Sequence, residues 1–566
     1  MFGDNTCNVQ LITRPSRFGK TLMLSTFEHF LKINPADPED LSLQKRLFSG
    51  TWILRRDEND PENESRELFC KKFMGCFPVI SLSLKNIEGA TFAEAYARFA
   101  ETVFALAKKY TFLKESPKLE GFDKKNYSRM LDLEVLYSQN ESRSFVVSSL
   151  YNFCDWLHGH FGIKPIVLID EYDVPLAKAY ARGYYDEMLN FLRTFLGLAL
   201  KTNDHLYKAV LTGCLRVSKE SIFTGINNFA VNSVLNTDKN YASGIGFTKD
   251  ETCRMLEYFN LDKYSRQVHD HYDGYNFGGV AMVCPWNVVN FCADFSSCND
   301  HKKNLTDLPN YWINSSGNDI IEEFLNCRDQ QFNDDMQDLI AGKTIRIQLN
   351  ETLSYCDLGN HQSDDFWTLM LYTGYLTFAN KNSRLERNVC EVRIPNLEVR
   401  ETFKDRILNF YKNAPVMVRL NSQIVDAALQ GNAKLLEEKL TDFLQSYISV
   451  RDFATKAPAE NYYHGMLNGI LAGDPKLSDY KSNYESGNGY PDIVFLSQDN
   501  RTAVIIELKK ADSFSEIDSK TSLALKQIEE DGYAQPYIKI GFVTVVFAYG
   551  ICFYKKVCEV MCKKLK

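Results

Sequence analysis

A chain of 566 residues is too long for one ordinary core and implies about three folded units. Apolar content of 45% and aromatic content of 13% exclude a disordered chain. A net charge of −8 excludes indiscriminate nucleic-acid binding through bulk charge, but leaves room for a local basic groove.

In chain order, Leu11-Ile12-Thr13 is an apolar stub leading into Arg14-Pro15-Ser16-Arg17-Phe18-Gly19-Lys20-Thr21. Leu22, Leu24, Phe27, Phe30 and Leu31 follow at helical spacing. Gly-Lys-Thr opening a helix fits a P-loop, in which backbone N–H groups cradle phosphates, the lysine reaches the β/γ-phosphates and the hydroxyl holds Mg²⁺. Arg14 stands where that pattern has its first glycine. Asp57 to Glu64 reads as a polar loop, Phe77 to Leu82 as a strand and Thr91 to Lys109 as a helix.

Pro165-Ile166-Val167-Leu168-Ile169-Asp170-Glu171-Tyr172-Asp173 is a continuous apolar run ending in acids, the pattern of a buried parallel strand. In P-loop ATPases the first acid of such a pair holds Mg²⁺ through water and the second polarises the attacking water; a buried strand that happens to end in Asp-Glu is the bland alternative. Ala209 to Gly213 is another short strand, and Thr212 and Arg216 beyond it are candidates to face the γ-phosphate or members of a plain strand–turn–helix. The alternation over residues 1 to about 235 predicts a parallel sheet with helices on both faces.

From about 240 to 400 the pattern turns helical and aromatic-rich, with Thr248-Lys249-Asp250-Glu251 as a helix cap. The aromatics of Tyr272-Asp273-Gly274-Tyr275 and Pro285-Trp286 read as core packing in preference to lid contacts. Residues 405–445 read as connecting helices. From 446 the order is helix, strand, strand, helix, strand, strand, with Gly541 to Tyr554 divided at Tyr549-Gly550.

Within that last stretch, Gly489-Tyr490-Pro491-Asp492-Ile493-Val494-Phe495 precedes Ala503-Val504-Ile505-Ile506-Glu507-Leu508-Lys509. Antiparallel pairing through a turn at Ser497 to Arg501 brings Asp492 and Glu507 to one sheet end, with Lys509 on the face of Glu507. Two carboxylates suit a hard cation, which can activate water on a phosphodiester, and a lysine can neutralise charge building on the phosphate. A polar-ended surface hairpin is the competing reading. Glu460 and Glu485 are third-ligand candidates, and His464 reads as a packed or capping side chain.

The Arg14 to Thr21 loop, the Leu168 to Asp173 strand end, and Leu211-Thr212-Gly213 with Ser221-Ile222-Phe223 and Asn227-Asn228 together resemble the AAA-ATPase-like family. That family is joined in many bacterial proteins to a C-terminal PD-(D/E)xK nuclease-like domain, which Pro491-Asp492 and Glu507-x-Lys509 resemble. Tyr272 to Phe277, Cys284 to Asn287, Tyr311 to Asn318, Thr373 to Thr377, Tyr463-His464-Gly465 and Ala524 to Ile528 agree in order. The family characteristically carries Arg-Pro-x-Arg-Phe-Gly-Lys-[Ser/Thr], so Arg14 belongs to its signature.

The resemblance implies an α/β protein with four parts: a P-loop ATPase domain with a parallel sheet (1–237), a helical lid and middle region (238–404), connecting helices (405–445) and a restriction-endonuclease-like α/β domain (446–566). Arg14, Pro15, Ser16, Arg17, Phe18, Gly19, Lys20, Thr21, Asp170, Thr212 and Arg216 would contact ATP and its Mg²⁺, with Thr21 and Asp170 at the metal and Glu171 at the water. Asp492, Glu507 and the Leu508 carbonyl would hold Mg²⁺ or Mn²⁺, and Lys509 would assist attack. DNA is the expected partner, and a homo-oligomer stays open. The alternative is a nucleotide-regulated switch whose last domain binds nucleic acid or protein without cutting. Gln527 resembles a glutamine that some members hold near the scissile phosphate, whereas Tyr533 is six residues on instead of four and carries over hardly at all.

Fifteen cysteines without a Cys-x-x-Cys pair indicate reduced thiols in a cytoplasmic protein. Cys292, Cys298 and His301 lack a fourth zinc ligand at usual spacing, and Cys558 and Cys562 read as neighbours on one helix face. No signal peptide or membrane span is expected, and the few residues before the P-loop suggest a late start relative to the family.

Overall fold

The computed structural model describes residues 7–57, 60–201, 203–215, 229–235, 238–296, 308–312, 330–358, 362–380, 384–386, 388–403, 415–447, 459–471, 474–482 and 489–566. Two compact units result: Met1–Phe324 with Gly342–Arg400, and Leu325–Ala341 with Glu401–Lys566.

The first unit is built on β1 (Val9–Thr13), β2 (Val79–Ser83), β3 (Ile166–Asp170), β4 (Lys208–Gly213) and β5 (Phe229–Asn232), in the order β2-β3-β4-β1-β5 with every pair parallel. Ile166 and Leu168 pack with Leu24, Phe30 and Leu31 of the Lys20–Leu31 helix. Val167 and Ile169, which alternate to the opposite face, are equally buried. Covering on both faces is why β3 reads as a continuous apolar run. Parallel strands put their C-terminal ends at one edge, so Thr13, Asp170 and Thr212 arrive together.

Thr248 and Glu251 form a reciprocal capping box at the start of the Lys249–Tyr258 helix, as the sequence predicts. The 240–400 stretch also contains strands that its helical reading missed. β6 (Tyr275–Phe277) pairs with β7 (Val280–Met282). β8 (Ile345–Gln348), β9 (Thr377–Phe378), β10 (Arg384–Glu386) and β11 (Val389–Arg393) form a small antiparallel sheet. Strands of two to five residues are too short to show a period of two against the helices around them.

Glu398 is fully buried in this unit, where it accepts hydrogen bonds from the Trp312 N–H and the Asn287 amide. Burial pushes its carboxyl up to about 7 from an ordinary 4.5. Between those values the folded state holds a proton that the unfolded state lacks, so stability is greatest below pH 4.5 for this group and is lost as pH rises from 4.5 to about 7. Stability should therefore fall by up to about 3 kcal/mol across that window, the apparent melting temperature falling with it and levelling off at higher pH. Glu398→Gln should flatten that slope in thermal scans; an unaltered slope would show that the carboxyl ionises freely in the fold.

The second unit's sheet runs β12 (Leu477–Ser482), β13 (Ile493–Ser497), β14 (Thr502–Lys510), β15 (Val545–Tyr554) and β16 (Val557–Lys564), with β14 and β15 parallel and the other pairs antiparallel. Ile493, Phe495, Val504 and Ile506 pack with residues of the Pro415–Leu429, Ala433–Tyr447 and Ala459–Leu471 helices. The helices expected as connectors thus form one wall of this core. Val494, Leu496, Ala503 and Ile505 face the other way, onto Ile528, Tyr533 and Tyr537.

Three local expectations need correction. β12 and a short Gln535–Lys539 helix add to the expected element order. β15 runs unbroken through Tyr549-Gly550, because Gly550 serves close packing and not a turn: a Cβ there would lie 2.5 Å from the Thr521 carbonyl oxygen and 2.6 Å from the Leu525 nitrogen of the covering helix. Cys558 and Cys562 share a face of strand β16 and not of a helix, since a spacing of four repeats on either element.

Candidate functional sites

Gly19 caps the Lys20–Leu31 helix in the left-handed region, with φ of 91° and open space where a Cβ would project. The Lys20 ammonium donates to the carbonyls of Arg14 (2.9 Å) and Pro15 (3.1 Å), so the loop folds back over its own lysine. Arg17 is also left-handed, and its guanidinium sits 4.4 Å from the Trp286 ring centroid. Phe18 is buried edge-on against Tyr275 at 4.9 Å and beside Phe277 at 5.1 Å. The Tyr272 to Phe277 aromatics are therefore packing residues, and what they pack includes the loop itself.

Arg14, expected among the nucleotide contacts, spends its side chain elsewhere. Its guanidinium is buried, donates to the carbonyls of Thr13, Asn232 and Tyr241, and lies 5.4 Å from the Phe277 centroid. Burial alone lowers its pKa to about 10. Arg14 ties the loop to β5 and to the Lys239–Ser243 helix, while its backbone N–H donates to the Gly213 carbonyl at 3.2 Å.

At the adjoining strand ends, Asp170 accepts 2.6 Å hydrogen bonds from both Thr21 Oγ1 and Thr212 Oγ1. β4 lies between β1 and β3, which is why Thr212 reaches this carboxylate. Glu171, next in sequence, is held left-handed at φ 51°, and burial raises its pKa against the opposing charge of Lys20. A backbone conformation this uncommon in a non-glycine residue concentrates at functional sites. A cavity of about 1110 Å³ that Thr21 and Asp170 border is otherwise lined mainly by the Lys20–Leu31 and Phe92–Lys108 helices and β2, and none of residues 14–20 lines it. The open Gly19 cradle and the Thr21–Asp170 oxygens fit a phosphate chain with a hard cation.

Asp173 has a separate role that the sequence reading did not assign. Its buried carboxylate accepts the N–H groups of Cys214 (2.9 Å) and Leu215 (2.8 Å), fixing the segment after β4. Arg216 lies outside the described residues.

In the second unit, Ile493 pairs with Ile506, so the ladder continues to Asp492 opposite Glu507. Asp492, Glu507 and Lys509 alternate onto the face of Val494 and Ile505, the face covered by the Ile517–Glu530 helix. Asp492 Oδ2 accepts the Leu508 N–H at 2.7 Å, and Lys509 Nζ lies 2.9 Å from Glu507 Oε1. Leu508 presents its carbonyl to the same side as its N–H, toward Asp492. Burial, then the Asp492 charge, pushes the Glu507 carboxyl up to about 7 against the pull of Lys509. Burial likewise raises Asp492.

Glu507 Oε2 is buried without a hydrogen-bond partner. An acceptor left so is costly and fits a cation between the two carboxylates. Among the described residues no group of three or more His, Cys, Asp and Glu could hold a metal, and the side-chain donors those residues bring here are Asp492 and Glu507. The Glu460 side chain, Glu485, Cys298 and His301 lie outside the described residues. His464 meets the Asp492 carbonyl and Ser482 Oγ, each at 3.0 Å, which places it beneath the turn that presents Asp492.

Tyr533, which its spacing carried over hardly at all, is buried beside Gln527. The Ile517–Glu530 helix ends before it, and the following turn brings its hydroxyl within 3.2 Å of Gln527 Nε2. A Cβ on Gly489 would sit 2.9 Å from that hydroxyl, so Tyr533 lies against the segment that leads into Asp492.

Comparison with known proteins places a known family over each of two stretches of the chain. Residues 4–223 match the AAA-ATPase-like family, described as "Predicted AAA-ATPase", and residues 458–563 match the PD-(D/E)XK nuclease superfamily. "Uncharacterized protein in vnfD 5'region" of Azotobacter chroococcum mcd 1 is 25% identical over 390 residues, covering 67% of this chain and 68% of its own. No solved structure matches the chain.

Proposed function

We propose that this chain, which joins an AAA-ATPase-like domain to a PD-(D/E)XK nuclease superfamily domain, hydrolyses ATP in the first and cleaves DNA in the second. The single observation that carries the cleavage reading is the buried, unpartnered Glu507 oxygen beside Asp492, with Lys509 on the same carboxylate. Asp492, Glu507 and the Leu508 carbonyl would hold Mg²⁺ or Mn²⁺, and Lys509 would meet the charge that grows on the scissile phosphate. Bound metal would supply polarisation of the phosphate and a more acidic water.

In the ATPase domain Lys20 would exchange its loop carbonyls for the β/γ-phosphates, Thr21 and Asp170 would hold Mg²⁺, and Glu171 would orient the attacking water. Thr212 and Arg216 would report on the γ-phosphate. The described cysteines are all free, which suits a cytoplasmic location, and no helix among the described residues is long and apolar enough to cross a membrane.

The Glu507–Lys509 ion pair favours a second reading, a nucleotide-controlled switch that grips nucleic acid or protein without cutting, because it satisfies part of the metal site internally. Incubating the purified chain with plasmid or single-stranded DNA in Mg²⁺ or Mn²⁺, with and without ATP, separates the two. Scission supports the nuclease reading; phosphate release with intact DNA in both metals leaves the switch.

Glu171→Gln should retain ATP and turn it over at least roughly tenfold more slowly. Asp173→Asn should act differently, lowering the melting temperature by weakening the grip on Cys214 and Leu215. Normal hydrolysis in Glu171→Gln beside a stable but inactive Asp173→Asn would reverse the two assignments.

A further inference from the structure

We infer that the strand entering the Asp492–Glu507 site is an unpaired DNA strand, gripped by base stacking on exposed aromatic rings at the same sheet end. This rests on the nuclease reading of that site. Tyr490, two residues before Asp492, is 61% exposed, and Phe514, just past the end of β14, is 70% exposed. β14 and β15 are parallel, with Lys510 opposite Phe553, so the turn after β15 lies at the same end as Lys509. There Phe514 packs against Tyr554 with ring centroids 6.3 Å apart, and Lys555 Nζ lies 5.1 Å from the Tyr554 centroid.

Along this end the order is Tyr490 beside β13, the carboxylate pair, then Phe514, Tyr554 and Lys555 toward β15. Two strand spacings separate the outer groups, about 10 Å before side-chain reach is added. That span suits a few nucleotides of an extended strand with the scissile phosphate between stacked bases.

Charge favours stacking over a grip on the duplex backbone. Lys510 and Lys520 are tied to Asp512 and Glu516 and Lys509 to Glu507, Lys555 and Lys556 sit on the turn after β15, and the chain as a whole carries −8. Two such lysines release few counterions from a phosphate lattice. Exposed rings instead need a base whose face is free, which a duplex withholds and an unpaired strand supplies.

The test is fluorescence anisotropy of the full chain in Ca²⁺ buffer, with a fluorescein-labelled 15-nucleotide oligothymidylate and a labelled 15-base-pair duplex as probes. The single strand should bind at least tenfold tighter than the duplex. Tyr490→Ala and Phe514→Ala should each weaken single-strand binding by roughly fivefold to a hundredfold and leave the duplex unchanged. Tyr490→Phe and Phe514→Tyr, which keep a ring, should bind as the parent does. Equal or tighter duplex binding, no binding of the single strand, or parent-like binding by both alanine variants would overturn the inference. Because binding is the readout, failure of Mg²⁺-dependent cleavage would count against the nuclease reading alone.

Discussion

Glu507→Ala is expected to abolish divalent-cation binding in the last domain and to bring DNA cleavage to background. Glu507 supplies the unpartnered buried oxygen, and no third acidic or histidine side chain among the described residues can replace it. Lys509→Ala should differ in kind. Metal binding should persist while cleavage slows about a hundredfold, the scale of losing one electrostatic stabiliser. Lys509 also draws the Glu507 carboxyl down, so its removal should leave more of that carboxyl protonated at neutral pH. Cation affinity in Lys509→Ala should therefore recover as pH is raised. In the parent, affinity should climb as pH passes through about 7, because the cation takes only the deprotonated carboxylate. Calorimetric titration with Mn²⁺ and plasmid nicking on the same preparations provide the two readouts. Cleavage surviving in Glu507→Ala would remove the site from the chemistry.

Much of both sites was legible because their chemistry lies at strand ends, where a period of two or a continuous apolar run announces itself. Asp170, Glu171, Asp492 and Glu507 each end or begin such a run, and pairing register alone brings Asp492 opposite Glu507. What sequence could not supply is side-chain destination over long separations. Arg14 reads as a cation in a phosphate loop, yet it bonds carbonyls more than 200 residues away, at Asn232 and Tyr241. Gly550 reads as a break until the approach of the Thr521–Leu525 backbone is known. Each miss is a tertiary contact overriding a local signal.

Lys20→Ala should reduce ATP hydrolysis at least a hundredfold and weaken nucleotide binding, since it removes the charge that meets the β/γ-phosphates. The structure adds a complication. Lys20 is buried and donates to the carbonyls of Arg14 and Pro15, so alanine also leaves those acceptors without their donor. Part of the loss could then come from a collapsed loop. Thr21→Val separates the causes: it keeps the Lys20 contacts and removes only the hydroxyl that Asp170 holds. If the loop is intact, Thr21→Val should retain nucleotide but respond weakly to Mg²⁺, whereas Lys20→Ala should lose nucleotide whatever the Mg²⁺ concentration. Thermal scans of both variants without nucleotide complete the comparison, because loop collapse lowers the melting temperature of Lys20→Ala alone. Phosphate release at the parental rate by Lys20→Ala would withdraw the P-loop assignment, and with it any ATP-driven control of the second domain.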